Sequence, residues 1–318
     1  MMTSTTAEAY TLVFSLRGEK AAEFGNFVYR KADEILLRTG NRVLSVIVYG
    51  SIIDEAYVEG LSDINIALIT KGVVNDLYSL RTILSHYFWK RYRKKLSVEV
   101  FPYEVFIAFY RNCVPITVII ARKGLVIAGG ELINKVLREN CVCGEPSLYY
   151  SLCRAIREYS KALLNILHGR IALSIRYLQH SLVHALRAII LRETNELPCT
   201  IPEIRENLRK LKRMELLNTF SQIIMLKIRA FNAEKIYKRK RLESLGPRNP
   251  LFKAFKDVFD VLSRAWLSVG INILTFDELI GIIKKLKPIE LVMRCQDNYP
   301  IIEMYDREER YHRASLCK

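Results

Sequence analysis

The sequence predicts an α+β protein: a small mixed sheet with helices packed against it, then an all-α helical bundle. Three observations predict it. Short apolar runs alternate with runs of helical period over the first 143 residues. The stretch Cys143-Gly144-Glu145-Pro146-Ser147 interrupts both kinds of element, because Gly and Pro stand close together in it. Beyond it, apolar residues recur at a spacing near 3.6 over long runs.

Taken in order, Ala7–Arg17 and Lys20–Thr39 read as helices, the second with Ala22, Phe24, Val28, Ala32, Ile35 and Leu36 on one face. Strands are expected at Val43–Tyr49, Ile64–Thr70, Leu96–Phe101, Pro115–Ile120 and Leu125–Ala128, and helices at Val73–Lys95 and Gly130–Asn140. Further helices are expected at Ser147–Leu167, Arg170–Glu196 and Ile201–Arg241. A turn holding Pro198 and Pro202 separates the last two, and Thr200 and Glu203 suit a capping box there. Residues 247–295 read as helical again, entered through Gly246-Pro247-Arg248-Asn249-Pro250 and followed by a charged tail. The expected domains are therefore 1–143, 147–245 and 246–318, the last a helical extension with a charged tail.

The most informative segment is Val46-Ile47-Val48-Tyr49-Gly50-Ser51, followed by Ser62-Asp63-Ile64-Asn65 at the start of the next strand. Gly50 lacks a Cβ, so a phosphate can approach its backbone, and the Ser51 hydroxyl can donate to it. Asp63 and Asn65 lie two apart on a strand, and period two sends both to one face, as a pair of metal ligands needs.

This run resembles the signature of the DNA polymerase beta-like nucleotidyltransferases in their minimal form, over roughly residues 20 to 142. The resemblance implies a nucleotidyltransferase-type sheet and a third carboxylate on a later strand, for which Glu99 in Leu96-Ser97-Val98-Glu99-Val100-Phe101 is the candidate. It implies that Gly50, Ser51 and Ser62 hold the phosphates of an NTP. Asp63, Asn65 and Glu99 would hold Mg²⁺ or Mn²⁺, and Glu99 would help deprotonate an acceptor hydroxyl. Asn65 departs from the pattern, since an amide brings no negative charge to offset a pair of cations. Asp54, Glu55 and Glu59 lie on the intervening segment, where they suit solvation of a surface helix and could also compensate. The implied activity is transfer of a nucleoside monophosphate from an NTP to a hydroxyl acceptor. The alternative is a catalytically degenerate nucleotide- or RNA-binding protein.

Composition narrows the partners. The chain has 318 residues, is 50% hydrophobic and carries a formal charge of +16. Between Arg205 and Glu243 stand 12 Lys or Arg and 4 Asp or Glu, a surplus of 8 that is half of that total. Such a stripe attracts phosphates, so RNA, DNA or a polyanionic nucleotide would all qualify; RNA or a protein acceptor is expected along 205–243, and a homo-oligomer is compatible with it. Phe88-Trp89-Lys90-Arg91-Tyr92-Arg93-Lys94-Lys95 interleaves aromatic and basic groups, fitting either base stacking or lysines around a buried Trp89. No run reaches the ~18 apolar residues that cross a bilayer. No secretory signal is read at the start, so no membrane association and a cytoplasmic location are expected.

Seven unevenly spaced cysteines are expected to be free thiols of a reducing compartment, Cys141 and Cys143 included. His180 and His184, four apart on a helix, suit packing better than a metal clamp, lacking a third ligand. The stretch His180–Ile190 with the turn after it is similar to the helical HEPN domains, some of which cut RNA with an Arg and a His about four to six residues apart. Counted as intervening residues, no such pair occurs in the predicted bundle, whereas Arg307 and His312 in the charged tail satisfy the spacing.

Overall fold

The computed structural model describes residues 19–37, 40–50, 63–93, 95–236, 249–306 and 308–318. It divides into two compact units, Met1–Gly144 with Cys199–Ile201, and Glu145–Pro198 with Pro202–Lys318. The fold class is α+β, as expected.

The first unit is built on β1 (Val43–Tyr49), β2 (Ile64–Thr70), β3 (Leu96–Pro102) and β4 (Leu125–Ala128), in the order β3-β2-β1-β4. β2 and β4 flank β1 antiparallel, and β3 runs parallel to β2. Val46, Val48, Ile64, Ile66, Leu68 and Val98 turn to one face. There they form a core with Val28, Ala32 and Leu36 of α1 (Glu19–Leu37) and Leu80, Leu84 and Phe88 of α2 (Leu77–Tyr92). The Asp76 carboxylate caps α2 by accepting from the Ser79 amide at 2.9 Å.

Ile47, Ala67 and Ile69, on the opposite face, are also fully buried. Helices α3 (Tyr103–Arg111), α4 (Pro115–Lys123) and α5 (Gly130–Leu137) follow β3 and flank β4. Gly124 ends α4 so close to β1 that an added Cβ would collide with Ile47. Burial on both faces explains why β1 and β2 are apolar nearly throughout. Truncating a side chain such as Leu68 to Ala at this depth costs about 2–5 kcal/mol. Asn41 fastens one end of the sheet: its amide donates to the Gly72 and Val73 carbonyls at 2.9 and 3.0 Å and accepts from the Gly72 amide at 3.1 Å.

Three expectations are corrected here. Pro115–Ile120 is not a strand but most of α4; Pro115 starts the helix, and burial of all but one of its first seven residues erases the period that separates helix from strand. The buried aromatic of the basic cluster is Phe88, whereas Trp89 is 47% exposed. Cys113 and Cys143 are not free thiols but form a disulfide with Cα atoms 4.9 Å apart.

The second unit packs α6 (Glu145–Leu167) along α7 (Ile171–Thr194). Small residues let them approach, the hydroxyls of Ser174 and Ser181 donating to the Ala162 and Ala155 carbonyls. The expected helix Ile201–Arg241 is two, α8 (Ile201–Lys210) and α9 (Met214–Ile236), parted at Lys212 with φ +55. Then come α10 (Pro250–Leu267), α11 (Phe276–Leu286) and a meander of β5 (Glu290–Gln296), β6 (Tyr299–Tyr305) and β7 (Tyr311–Ser315).

That meander overturns the helical reading of residues 290–295 and gives the charged tail two strands. Leu291 and Met293 are buried while their neighbours Glu290, Val292 and Arg294 are exposed, a period of two. Asp297 and Asn298 join the strands with φ +51 and +65, the geometry a two-residue hairpin turn demands. β5 is tied to α6 by the Cys153–Cys295 disulfide, again contrary to the expected free thiols, and by Ser160, which donates to the Leu291 carbonyl and accepts from the Met293 amide.

α11 begins in a capping box of Thr275 and Glu278. Bonds from Lys318 first, then from Thr275, lower the Glu278 pKa from 4.5 to about 2. A carboxylate depressed in the folded state stabilises it fully above the unfolded value, and that contribution is lost as pH falls from 4.5 toward about 2. Glu278→Gln is expected to flatten this part of the acid limb in urea unfolding followed across that range. Parallel losses in both proteins would contradict the assignment.

Candidate nucleotide site

The chain leaves β1 at Gly50, whose φ of +83 suits glycine. Space gives a second reason: a Cβ there would lie 2.7 Å from Asn65 Nδ2. The β1–β2 register explains the closeness, because Tyr49 pairs directly with Asn65. The Asn65 amide therefore presents a donor to the glycine corner.

Across the parallel ladder, Asn65 is level with Ser97, and Glu99 is level with Ala67. Asn65, Ser97 and Glu99 share a face, with Glu99 two residues further from the corner, about 7 Å along the strand. Asp63 precedes β2 by one residue and is partly buried, on the other side of Asn65 from Glu99. The level of Asp63 is thus four residues from that of Glu99, roughly 13 Å along the strand. Ser51, Ser62, Asp54, Glu55 and Glu59 lie outside the described residues.

The Glu99 carboxylate accepts from the Arg81 guanidinium at 2.9 Å, while Arg81 Nε donates to the Val98 carbonyl at 2.8 Å. Side-chain exposures of 44% and 42% make this a screened surface pair worth at most about 1 kcal/mol. A ligand that draws Glu99 away therefore meets little resistance.

By their chemistry, Asp63 and Asn65 are the described residues here that could hold a magnesium ion. Asp63 offers an anionic oxygen and Asn65 a neutral one, leaving the rest of an octahedral shell to nucleotide phosphates and water. A second ion needs another carboxylate, and Glu99 meets that need only after parting from Arg81. Arg81 and Ser97 are the residues that sequence reasoning missed. Only the strand register and the approach of α2 reveal them.

Other candidates have other tasks. His180 lies on α7 with Nδ1 3.9 Å from Glu158. Crowding around the ring first, then Arg176, Lys227, Arg154 and Lys161, lowers its pKa to about 3. Because 42% of the His180 side chain reaches solvent, screening softens that shift, and the direction is what the neighbours set. Four surrounding cations make it a poor metal ligand. His312 Nε2 is 2.9 Å from Asp306, whose other oxygen accepts the Glu308 and Arg310 amides, so this histidine braces the turn before β7. Its expected partner Arg307 lies outside the described residues. Within the basic segment, Lys227 is 8% exposed and contributes little to a surface stripe.

Gly50→Ala strains the backbone and drives a methyl group into Asn65. It is expected to destabilise the protein by about 1–3 kcal/mol in chemical denaturation. Adding Asn65→Ala should recover part of that loss by removing the clash while leaving the strained φ. Strict additivity of the two substitutions would contradict the contact.

No protein-family model and no curated protein matches the chain. Among solved structures, it is similar to the crystal structure of a nucleotidyltransferase-like protein from Exiguobacterium sibiricum 255-15, with 12% identity and a TM-score of 0.32 over 76% of this chain and 74% of that one. A likeness at that level carries no weight for this chain's fold or function.

Proposed function

We propose that the first unit is a nucleotidyltransferase that binds an NTP at the Gly50 corner and passes its nucleoside monophosphate to a hydroxyl acceptor. One observation carries the reading: the Asn65 amide stands against a glycine with φ +83, on the sheet face that also carries Glu99. Gly50 admits a phosphate to the backbone, and Asn65 Nδ2 donates to it. Asp63 and the Asn65 carbonyl oxygen would hold a magnesium ion, which supplies neutralisation of phosphate charge. Glu99, released from Arg81, takes the proton of the attacking hydroxyl. Arg205 and the basic residues after it suit an RNA acceptor better than an uncharged one.

A second reading, nucleotide binding without turnover, is favoured by the Arg81–Glu99 pair and by Ser97, not a carboxylate, standing level with Asn65. Both readings require Asp63 for binding, and they part at turnover.

Purified protein with labelled ATP or CTP, Mg²⁺ or Mn²⁺ and pooled RNA tests them together. Asp63→Ala is expected to weaken metal-dependent nucleotide binding about tenfold or more and to abolish label transfer. Asn65→Asp should raise transfer by restoring the missing charge. Binding without transfer in the wild type, with transfer appearing in Asn65→Asp, selects the second reading. Nucleotide binding unchanged by Asp63→Ala overturns both.

A further inference from the structure

We propose that Cys113, Cys141 and Cys143 form a thiolate site for Zn²⁺ when the Cys113–Cys143 disulfide is reduced. Their sulfur atoms all lie within 4.8 Å of one another, whereas the disulfide uses only two of the three. Sulfurs sharing one tetrahedral zinc ion are about 3.8 Å apart, as follows from Zn–S bonds of about 2.3 Å, so small side-chain rotations bring the three into range.

The surroundings suit a metal-bound thiolate. The Cys141 sulfur accepts hydrogen bonds from the Cys113 backbone and from the Arg122 guanidinium, donors that a thiolate needs and a thiol scarcely uses. Cys113 is fully buried and holds φ +52, a backbone conformation rare for a residue with a side chain, at the turn where α3 gives way to α4. Three thiolates around Zn²⁺ carry one net negative charge, which the Arg122 cation offsets. Cys199 is buried but is not among the three sulfurs that lie within 4.8 Å of one another, so water is the expected fourth ligand.

A metal ion displaces the thiol protons outright on binding. Formation of the site balances simply. A dithiol reductant gives two electrons and two protons to the Cys113–Cys143 bond and becomes a disulfide itself. Zn²⁺ then displaces the three thiol protons to solvent.

The test is zinc content of the full chain by elemental analysis after reduction, zinc loading and desalting, with circular dichroism to confirm folding. The wild type and Cys317→Ser are expected to retain about one zinc ion per chain, and Cys141→Ser to fall to about one tenth of that. Cobalt(II) substitution should give thiolate-to-metal absorption in the wild type and lose it in Cys141→Ser, and Cys199→Ser distinguishes a protein fourth ligand from water. A reduced wild type that retains no zinc, or a folded Cys141→Ser that retains as much as the wild type, overturns the proposal.

Discussion

The pairing of Tyr49 with Asn65 is the constraint on which the candidate site depends. It brings the start of β2 against the end of β1 and so places an amide beside Gly50, where the proposed site admits a phosphate. Because side chains alternate along a strand, a shift of one residue would turn Asn65 into the core packed against α1 and α2 and bring Ile64 or Ile66 to the glycine corner. Several fully buried apolar residues on each face of β1 and β2 oppose that shift, each at a cost of kilocalories. The apolar core therefore fixes the site's geometry.

The same register explains why the three expected metal ligands do not form a compact set. A parallel ladder sets Ser97 beside Asn65 and carries Glu99 further along, where Arg81 meets it. The charge deficit at Asn65 and the ion pair at Glu99 act in one direction, each reducing the negative field available to a second cation. They differ in permanence. The amide is covalent, whereas the exposed pair contributes no more than about 1 kcal/mol and yields to a better partner.

Much of this was legible in the sequence where one physical signal dominated. β1, β2 and β3 announced themselves as apolar runs bounded by turn residues, and the glycine corner stood out because chemistry requires a missing Cβ. Pro115–Lys123 failed that reading, since a helix buried on nearly every side has the composition of a buried strand. The C-terminal meander hid behind charged residues on its exposed positions, and its turn is Asp297-Asn298, without the glycine that usually marks such hairpins. The disulfides join cysteines 30 and 142 residues apart, separations that no local pattern encodes. Arg81 escaped notice for the same reason: its partner is set by the approach of a helix to a strand, not by spacing.

In the proposed function a divalent cation and a nucleotide meet at Asp63 and Asn65. Crystals grown with a non-hydrolysable NTP and Mn²⁺ and measured for anomalous scattering address that directly. The expected result is an anomalous peak beside Asp63 and Asn65, with the phosphates against Gly50. A nucleotide bound elsewhere, or phosphates at Gly50 with no manganese beside Asp63, would contradict it.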